Sequence, residues 1–377
     1  MANENIASAV AFNVIIGGNE IPMDEVSEWT VEQDIGQPDM CQIALRNEGN
    51  LYSDSYQPGD EVTVNVGDEE DEVFAGEVVG VEPTYKANGD NVLNVRAFNR
   101  LHRLTRGAKS TTYTQCTDAD IVSKLAGRSQ LTPVCGDKAD ITHAHVYQNN
   151  QTDLEFLRSR AARLGFEVWV QGKELHFDAL DASKDSGLIL RYGDAETAMK
   201  KGAVFLMRFT PKMSSSGMLE QVEVRGWDPV AKKEIIAVSK AESSSALGGK
   251  TGVSVSSQWL GGLSDDSSHS KTFNVDQPIY SQDEAQRLAD AKLKKANMNY
   301  MTGMGECRCT PGIKPGVVVT ITVNPDKPGD RFNGRYMVMG TRHHYSDKVP
   351  GSSNGLLTTF RVARDAEGPR DPGKHKD

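Results

Sequence analysis

Two histidine pairs, a Cys-x-Cys, an acidic run, a Gly-Gly-Lys-Thr and a serine among glycines are the residues whose types could do chemistry. His143 and His145 alternate along strand-like sequence, so both can face one side. A zinc site needs four donors held tetrahedrally, and spacing places no third ligand beside them. His343 and His344 are adjacent, and adjacent residues of a strand point to opposite faces. Cys307 and Cys309 share a face, yet neither a second cysteine pair nor a nearby histidine accompanies them. They read as small buried hydrophobes. The run Asp68-Glu69-Glu70-Asp71-Glu72 lacks the spaced Asp/Asn and Gly of a calcium loop, and five like charges between strands read as a solvated hairpin tip.

Ser353 is central to GSSNG at 351–355, the spacing of a nucleophile elbow. That device needs a strand, a sharp turn and then a helix, whereas here Pro350 precedes it and the strand-like LLTTFRV follows, so a hairpin loop is expected. Gly248-Gly249-Lys250-Thr251 resembles the end of a phosphate loop, but the leading glycine would fall at Ser244 and no strand precedes it. Nor is any carboxylate pair singled out for glycoside hydrolysis. No catalytic, cofactor-binding or metal-binding residue is expected, and the chain reads as a non-enzyme without cofactor.

The elements that would hold such residues are mostly strands. YQPGDEVTVNV, VFAGEVVGVEPTY and NVLNVRAFNR are followed much later by IKPGVVVTITV, RFNGRYMVMGTRHHY and GLLTTFRVAR. Both runs open on Pro-Gly (Pro58-Gly59, Pro315-Gly316) and alternate β-branched residues. Each then shows Phe-x-Gly (Phe74-Ala75-Gly76, Phe332-Asn333-Gly334), a closing tyrosine (Tyr85, Tyr345) and a strand bearing Arg96 or Arg361. Alternation with turn residues between short runs predicts antiparallel sheet curled into a barrel or sandwich. Thr117 and Thr152 cap two helices between the blocks; Thr152 with Glu155 forms a capping box, and Gly165 stops the helix. Ser281 with Glu284 opens a third helix, which presents Ala285, Leu288, Ala289, Leu293 and Ala296 to a core.

The fold class expected is mainly β with an α+β insertion: two tube-like antiparallel β-barrel domains joined by small α/β elements. Residues 1–105 are expected to form the first barrel domain, 106–180 the α/β insertion and 181–366 the second barrel domain. Within the last, 243–270 reads as a flexible loop and 281–296 as a helix; 367–377 reads as a disordered tail. A net charge of −10 over 377 residues argues against a protein that binds by neutralising phosphates. No apolar run reaches the length of a membrane span, and the apolar Ala7–Gly18 lacks the basic start of a signal peptide, so a cytoplasm-like compartment is expected.

VYQNNQTDLEFLRSRAARLGFEVWVQGKELHF (146–177) carries Gln148, Thr152, Asp153, Phe156, Leu157, Arg160, Ala161 and Gly165 in a distinctive order. Together with the two blocks it resembles the phage late control D and VgrG N-terminal family, the tail hubs whose prototype is the hub of the T-even baseplate. The resemblance spans about residues 8 to 366. It implies a homotrimer in which two barrels per chain make a pseudo-hexameric ring, joining a six-fold inner tube to a three-fold spike. Implied partners are the chain itself, a separate trimeric spike protein, the inner tube protein, other baseplate proteins, and a tape measure or cargo. No specific nucleic acid and no membrane insertion are implied, and assembly would occur in the bacterial cytoplasm, into a virion tail or injection-system particle. VgrG chains continue into an OB-fold and needle; this sequence stops at Asp377, hence the separate spike. The competing readings are a tail-associated cell-wall hydrolase and a glycan-binding tail protein. An acidic ring lumen is expected from the net charge.

Overall fold

Val and Ile at alternate positions hide on one face of a strand and leave polar neighbours on the other, and this pattern builds most of the molecule. The computed structural model describes residues 11–67, 71–228, 231–260, 271–274, 279, 281–347 and 355–368. The fold is mainly β, 49% strand and 20% helix. Twelve strands carry the two barrel units. The first unit holds β1 (Phe12–Ile16), β2 (Val26–Asp34), β3 (Met40–Arg46), β4 (Glu61–Val66), β5 (Asp71–Thr84) and β6 (Val92–Phe98). The second holds β7 (Asp185–Tyr192), β8 (Val204–Met213), β9 (Met301–Arg308), β10 (Val318–Thr322), β11 (Gly334–Ser346) and β12 (Leu356–Arg364).

The units repeat one strand order but not every direction: β1 is antiparallel to β4, whereas β7 is parallel to both β10 and β8, so the second barrel is mixed and not the antiparallel barrel expected. The first runs β1-β4-β5-β6-β3-β2 and the second β7-β10-β11-β12-β9-β8. The second closes into a six-stranded barrel because β11 pairs with both β10 and β12 while β7 pairs with both β10 and β8. In the first, β1 meets β2 through side chains, with the rings of Phe12 and Trp29 5.9 Å apart. The outer edge of β2, from Glu28 to Asp34, is instead taken by β11, residues 340–346. One continuous sheet thus runs through both units. Their cores are distinct, one around Trp29, Val64 and Val95, the other around Ile321, Tyr336 and Phe360.

The repeat extends to single hydrogen bonds. Gly59 N–H donates to Val78 O at 2.9 Å and Val78 N–H to Asp60 O at 2.8 Å; Gly316 N–H donates to Val338 O at 2.8 Å and Val338 N–H to Val317 O at 2.8 Å. In both units a β-bulge follows at once, placing Gly80 opposite Arg96 and Gly340 opposite Arg361. The Pro-Gly starts, Tyr85 with Tyr345, and Arg96 with Arg361 are therefore equivalent. Phe-x-Gly is not. Phe74 pairs with Val64, whereas Phe332 precedes β11, whose Gly334 pairs with Ile321. The two motifs sit two residues out of register, because the hairpins before them differ in length.

Between the units, α1 (Asp118–Arg128) and α2 (Asp153–Leu164) pack with five short strands around Leu125, Leu157 and Phe177. Both helices carry complete capping boxes, Thr117 with Asp120 and Thr152 with Glu155, and Gly165 ends α2 at φ +70°. A fourth core lies where the helix α3 (Gln282–Asn297) covers the hairpin Gln221–Asp228 and Lys233–Lys240. Ser281 caps α3, but the box is only half made: Glu284 turns to Arg163 on α2.

The Ser- and Gly-rich stretch read as a loop from 243 to 270 departs from that expectation. Lys250–Thr251 pairs with Ala366–Glu367, and Gly252–Leu260 is helical. Leu247 supplies the apolar anchor, buried against Val318 and Met337. Residues 261–270 lie outside the described residues. The same pairing gives the start of the tail read as disordered, Glu367, a partner strand; residues 369–377 lie outside the described residues.

Candidate functional site

Several of the residues that could do chemistry have structural partners. Asp118, only 2% exposed, receives Arg160 at 2.6 and 3.0 Å and stands 3.1 Å from His143 Nε2. Those three groups tie α1, α2 and the strand His143–Gln151 together, while His145 is exposed. His343 is fully buried with Nδ1 2.8 Å from the Thr358 hydroxyl; His344 turns to the other face, with Nδ1 3.0 Å from the Thr30 hydroxyl. Burial pushes the thiols of Cys307 and Cys309 up to about 12 and about 11, which suppresses the thiolate needed for metal binding or attack. Among the described residues no group of three or more His, Cys, Asp or Glu could hold a metal ion. A Cβ at Gly248 would lie 2.8 Å from the Ala366 Cβ, so the Gly-Gly-Lys-Thr segment offers no phosphate cradle. Ser353 and Asp68–Glu70 lie outside the described residues.

The distinctive 146–177 segment is framework. Gln148 is fully buried and donates to Gln151 O and Asp153 Oδ1, both at 3.0 Å, while Tyr113 O–H donates to it at 3.3 Å. Lys109 neutralises Asp153 at 2.5 Å, and Phe156 stacks on Tyr113 with centroids 5.6 Å apart. Order in this segment thus reflects what α2 must hold, not what it must react with.

What the fold does present is a surface. Where β2 meets β11, each strand sends alternate side chains outward, and Arg342 faces Glu32 at 3.6 Å; beside them Arg361 of β12 reaches across Gly340 to Asp34. Farther along the same face Arg96 pairs with Glu82 at 3.2 Å. Their side chains are about half exposed. This face is charge-balanced, as cross-strand neighbours of opposite sign favour. On the inner side of the seam Trp29 is fully buried opposite Tyr345, with ring centroids 6.4 Å apart.

Two titratable groups border the seam, Asp39 half-buried and His343 fully buried, and they pull in opposite directions. Asp39 lines a cleft of about 560 Å³ between the units and the α/β module. Burial pushes its carboxyl up to about 6, against the pull of Gln33, Asn99 and Lys314. Burial holds the His343 imidazole down to about 4, and Lys314 adds to that. A raised carboxyl favours the fold below its unfolded pKa and loses that contribution as pH rises through about 6. A depressed imidazole favours the fold above the unfolded histidine pKa and loses it as pH falls toward 4. Asp39→Asn should therefore stabilise the protein at pH 7.5, by on the order of 2 kcal/mol, and by little at pH 4. Melting temperatures across that range check it; a variant less stable than its parent at pH 7.5 contradicts it.

A family model described as the Alg8 N-terminal domain matches residues 6–347. The chain belongs to the Alg8 N-terminal domain family. No curated protein matches it. The matched family differs from the late control D family that residues 146–177 resemble. The fold of this Alg8 N-terminal domain is nevertheless shared with tail proteins. A tail protein from Neisseria meningitidis is 16% identical, with a TM-score of 0.67 over 95% of this chain and 97% of that one. The 43 kDa tail protein of prophage MuSo2 from Shewanella oneidensis is 12% identical, with a TM-score of 0.65 over 95% and 100%. An E. coli component of the type VI secretion system, described as similar to the T4 tail proteins gp27 and gp5, is 13% identical, with a TM-score of 0.61 over 95% and 79%. No helix among the described residues is long and apolar enough to cross a membrane.

Proposed function

We propose that this chain is the structural hub of a contractile tail or contractile injection-system baseplate. Three copies form a ring that joins a six-fold inner tube to a three-fold spike. The observation that carries the reading is the internal repeat: two six-stranded units in one strand order, with the same bulge and the same turn hydrogen bonds. Three such chains offer six equivalent units to a tube and only three copies of everything else to a spike, which is what a symmetry adaptor requires. The shared fold with tail and secretion-system proteins supports it.

In this reading the half-exposed face of the continuous sheet is free to line the channel, and its wall is charge-balanced. The partners are further copies of the chain, the inner tube, a trimeric spike, other baseplate proteins, and a tape measure or cargo. The chain divides near residues 105, 180 and 366, assembles in the bacterial cytoplasm and acts without enzymatic activity. Deletion of its gene tests this. Electron micrographs of the deletion strain should show no complete tails or injection particles, and a zymogram of the purified chain should stay uncleared. Normal particles, or clearing of peptidoglycan, would overturn the proposal.

A further inference from the structure

The repeat leaves two strand edges without the partner that their equivalents have. In the second unit, β11 offers residues 340–346 to β2. In the first unit the same stretch of β5, residues 80–84 with Tyr85 just beyond its end, borders β6 on one side and no strand on the other among the described residues. Likewise β8, the equivalent of β2, pairs with β7 only through residues 204–206, so its edge from 208 to 213 has no strand beside it among the described residues. The vacancy shows in atomic detail. A Cβ at Gly340 would lie 3.1 Å from Gln33 O of the neighbouring strand, whereas a Cβ at Gly80 meets nothing within 4 Å.

We infer that these two edges pair with each other between copies of the chain, β5 of one copy lying antiparallel to β8 of the next. This deepens the trimeric-hub reading and rests on it. Transferring the β11–β2 register onto the free edges sets Val81 opposite Met213, Glu82 opposite Lys212, Pro83 opposite Pro211 and Tyr85 opposite Phe209. The central rungs make chemical sense, and only the outermost, Lys86 opposite Arg208, sets like charges together. Glu82 and Lys212 take the places of Arg342 and Glu32, reversed in sign yet still complementary. Tyr85 meets Phe209 where Tyr345 meets Trp29. Tyr85 is 61% exposed and Met213 40% exposed in the single chain, whereas their counterparts in the made seam, Tyr345 and Gln33, are half-buried, which is the exposure expected of an unmade seam.

Backbone polarity agrees. Val78 turns its N–H back to Asp60, and beyond the bulge 81, 83 and 85 point out from the sheet. Ser214 N–H donates inward to Tyr300 O, so 213, 211 and 209 point out from theirs. The outer rungs can exchange four hydrogen bonds while the middle rung, proline against proline, exchanges none. Proline on a free edge also discourages unwanted strand addition. The contact uses two different edges, so it is head-to-tail, and the pseudo-six-fold step repeated around three chains closes it into a ring.

Glu82→Cys with Lys212→Cys tests the register at a pair where side chains approach closely. On oxidation the double variant should give a covalent trimer on a non-reducing gel, and neither single variant should. Charge reversal is the second test. Glu82→Lys alone should raise the trimer dissociation constant at least tenfold, and adding Lys212→Glu should restore it to within about threefold of the parent. Trimers by mass with no cross-link and no charge effect would overturn the seam while leaving the trimer standing. A ladder that stops at two chains would overturn ring closure, and a parent chain that stays monomeric would overturn both seam and hub.

Discussion

Arg160→Ala should lower the stability of the α/β module by about 3–5 kcal/mol, the usual cost of stripping one partner from a buried ion pair. Asp118 is 2% exposed, and its two oxygens receive Arg160 at 2.6 and 3.0 Å. Against the upward push of burial, hydrogen bonds from His143 and Arg160 and the charge of the guanidinium hold the Asp118 carboxyl below its usual range. Without Arg160 that carboxylate must take up a proton or draw in water, and α1 loses its tie to α2. The double variant Asp118→Leu, Arg160→Met should recover most of the loss, because two apolar groups leave no orphaned charge. Urea unfolding with hydrogen exchange in α1 and α2 gives both numbers. A loss under about 1 kcal/mol for the single variant would mean that the pair does not hold the module.

Trp29→Ala should cost a similar amount, about 3–5 kcal/mol, by a different route. The indole is fully buried in the first unit's core, edge-on to Phe12 and stacked near Tyr345, and β2 is the strand that β11 joins. Its removal opens a cavity under the one seam that makes two units a single sheet. Calorimetry should show a lower Tm and a broadened or split transition as the units lose their coupling. An unchanged single peak would show that the seam's hydrogen bonds suffice without the indole. Tyr345→Ala, on the facing strand, should act in the same direction with a smaller effect.

Much of this architecture is legible in local chemistry. Pro58-Gly59 and Pro315-Gly316 mark equivalent strand starts because a turn fixes its own residue types, and Gly59 and Gly316 do adopt φ of +102° and +85°. Thr152 with Glu155 and Gly165 delimit α2 for the same reason. Phe-x-Gly misled because alternation carries no record of hairpin length, and a slip of two residues leaves every side chain on the same face. The loop reading of 243–270 failed where Leu247 found a core supplied by distant strands, which composition cannot reveal. The seam was equally out of reach. Glu32 and Arg342 are far apart in the chain, and only sheet order shows that they face each other while Glu82 and Lys212 sit on edges with no strand opposite them among the described residues.

The hub reading is tested most directly by the mass of the chain in solution. Native mass spectrometry of the purified protein at micromolar concentration should find a species of three 41.1 kDa chains, and images of it should show a ring of six similar lobes around a channel. A particle of one or two chains at every concentration, with no ring, would contradict the account.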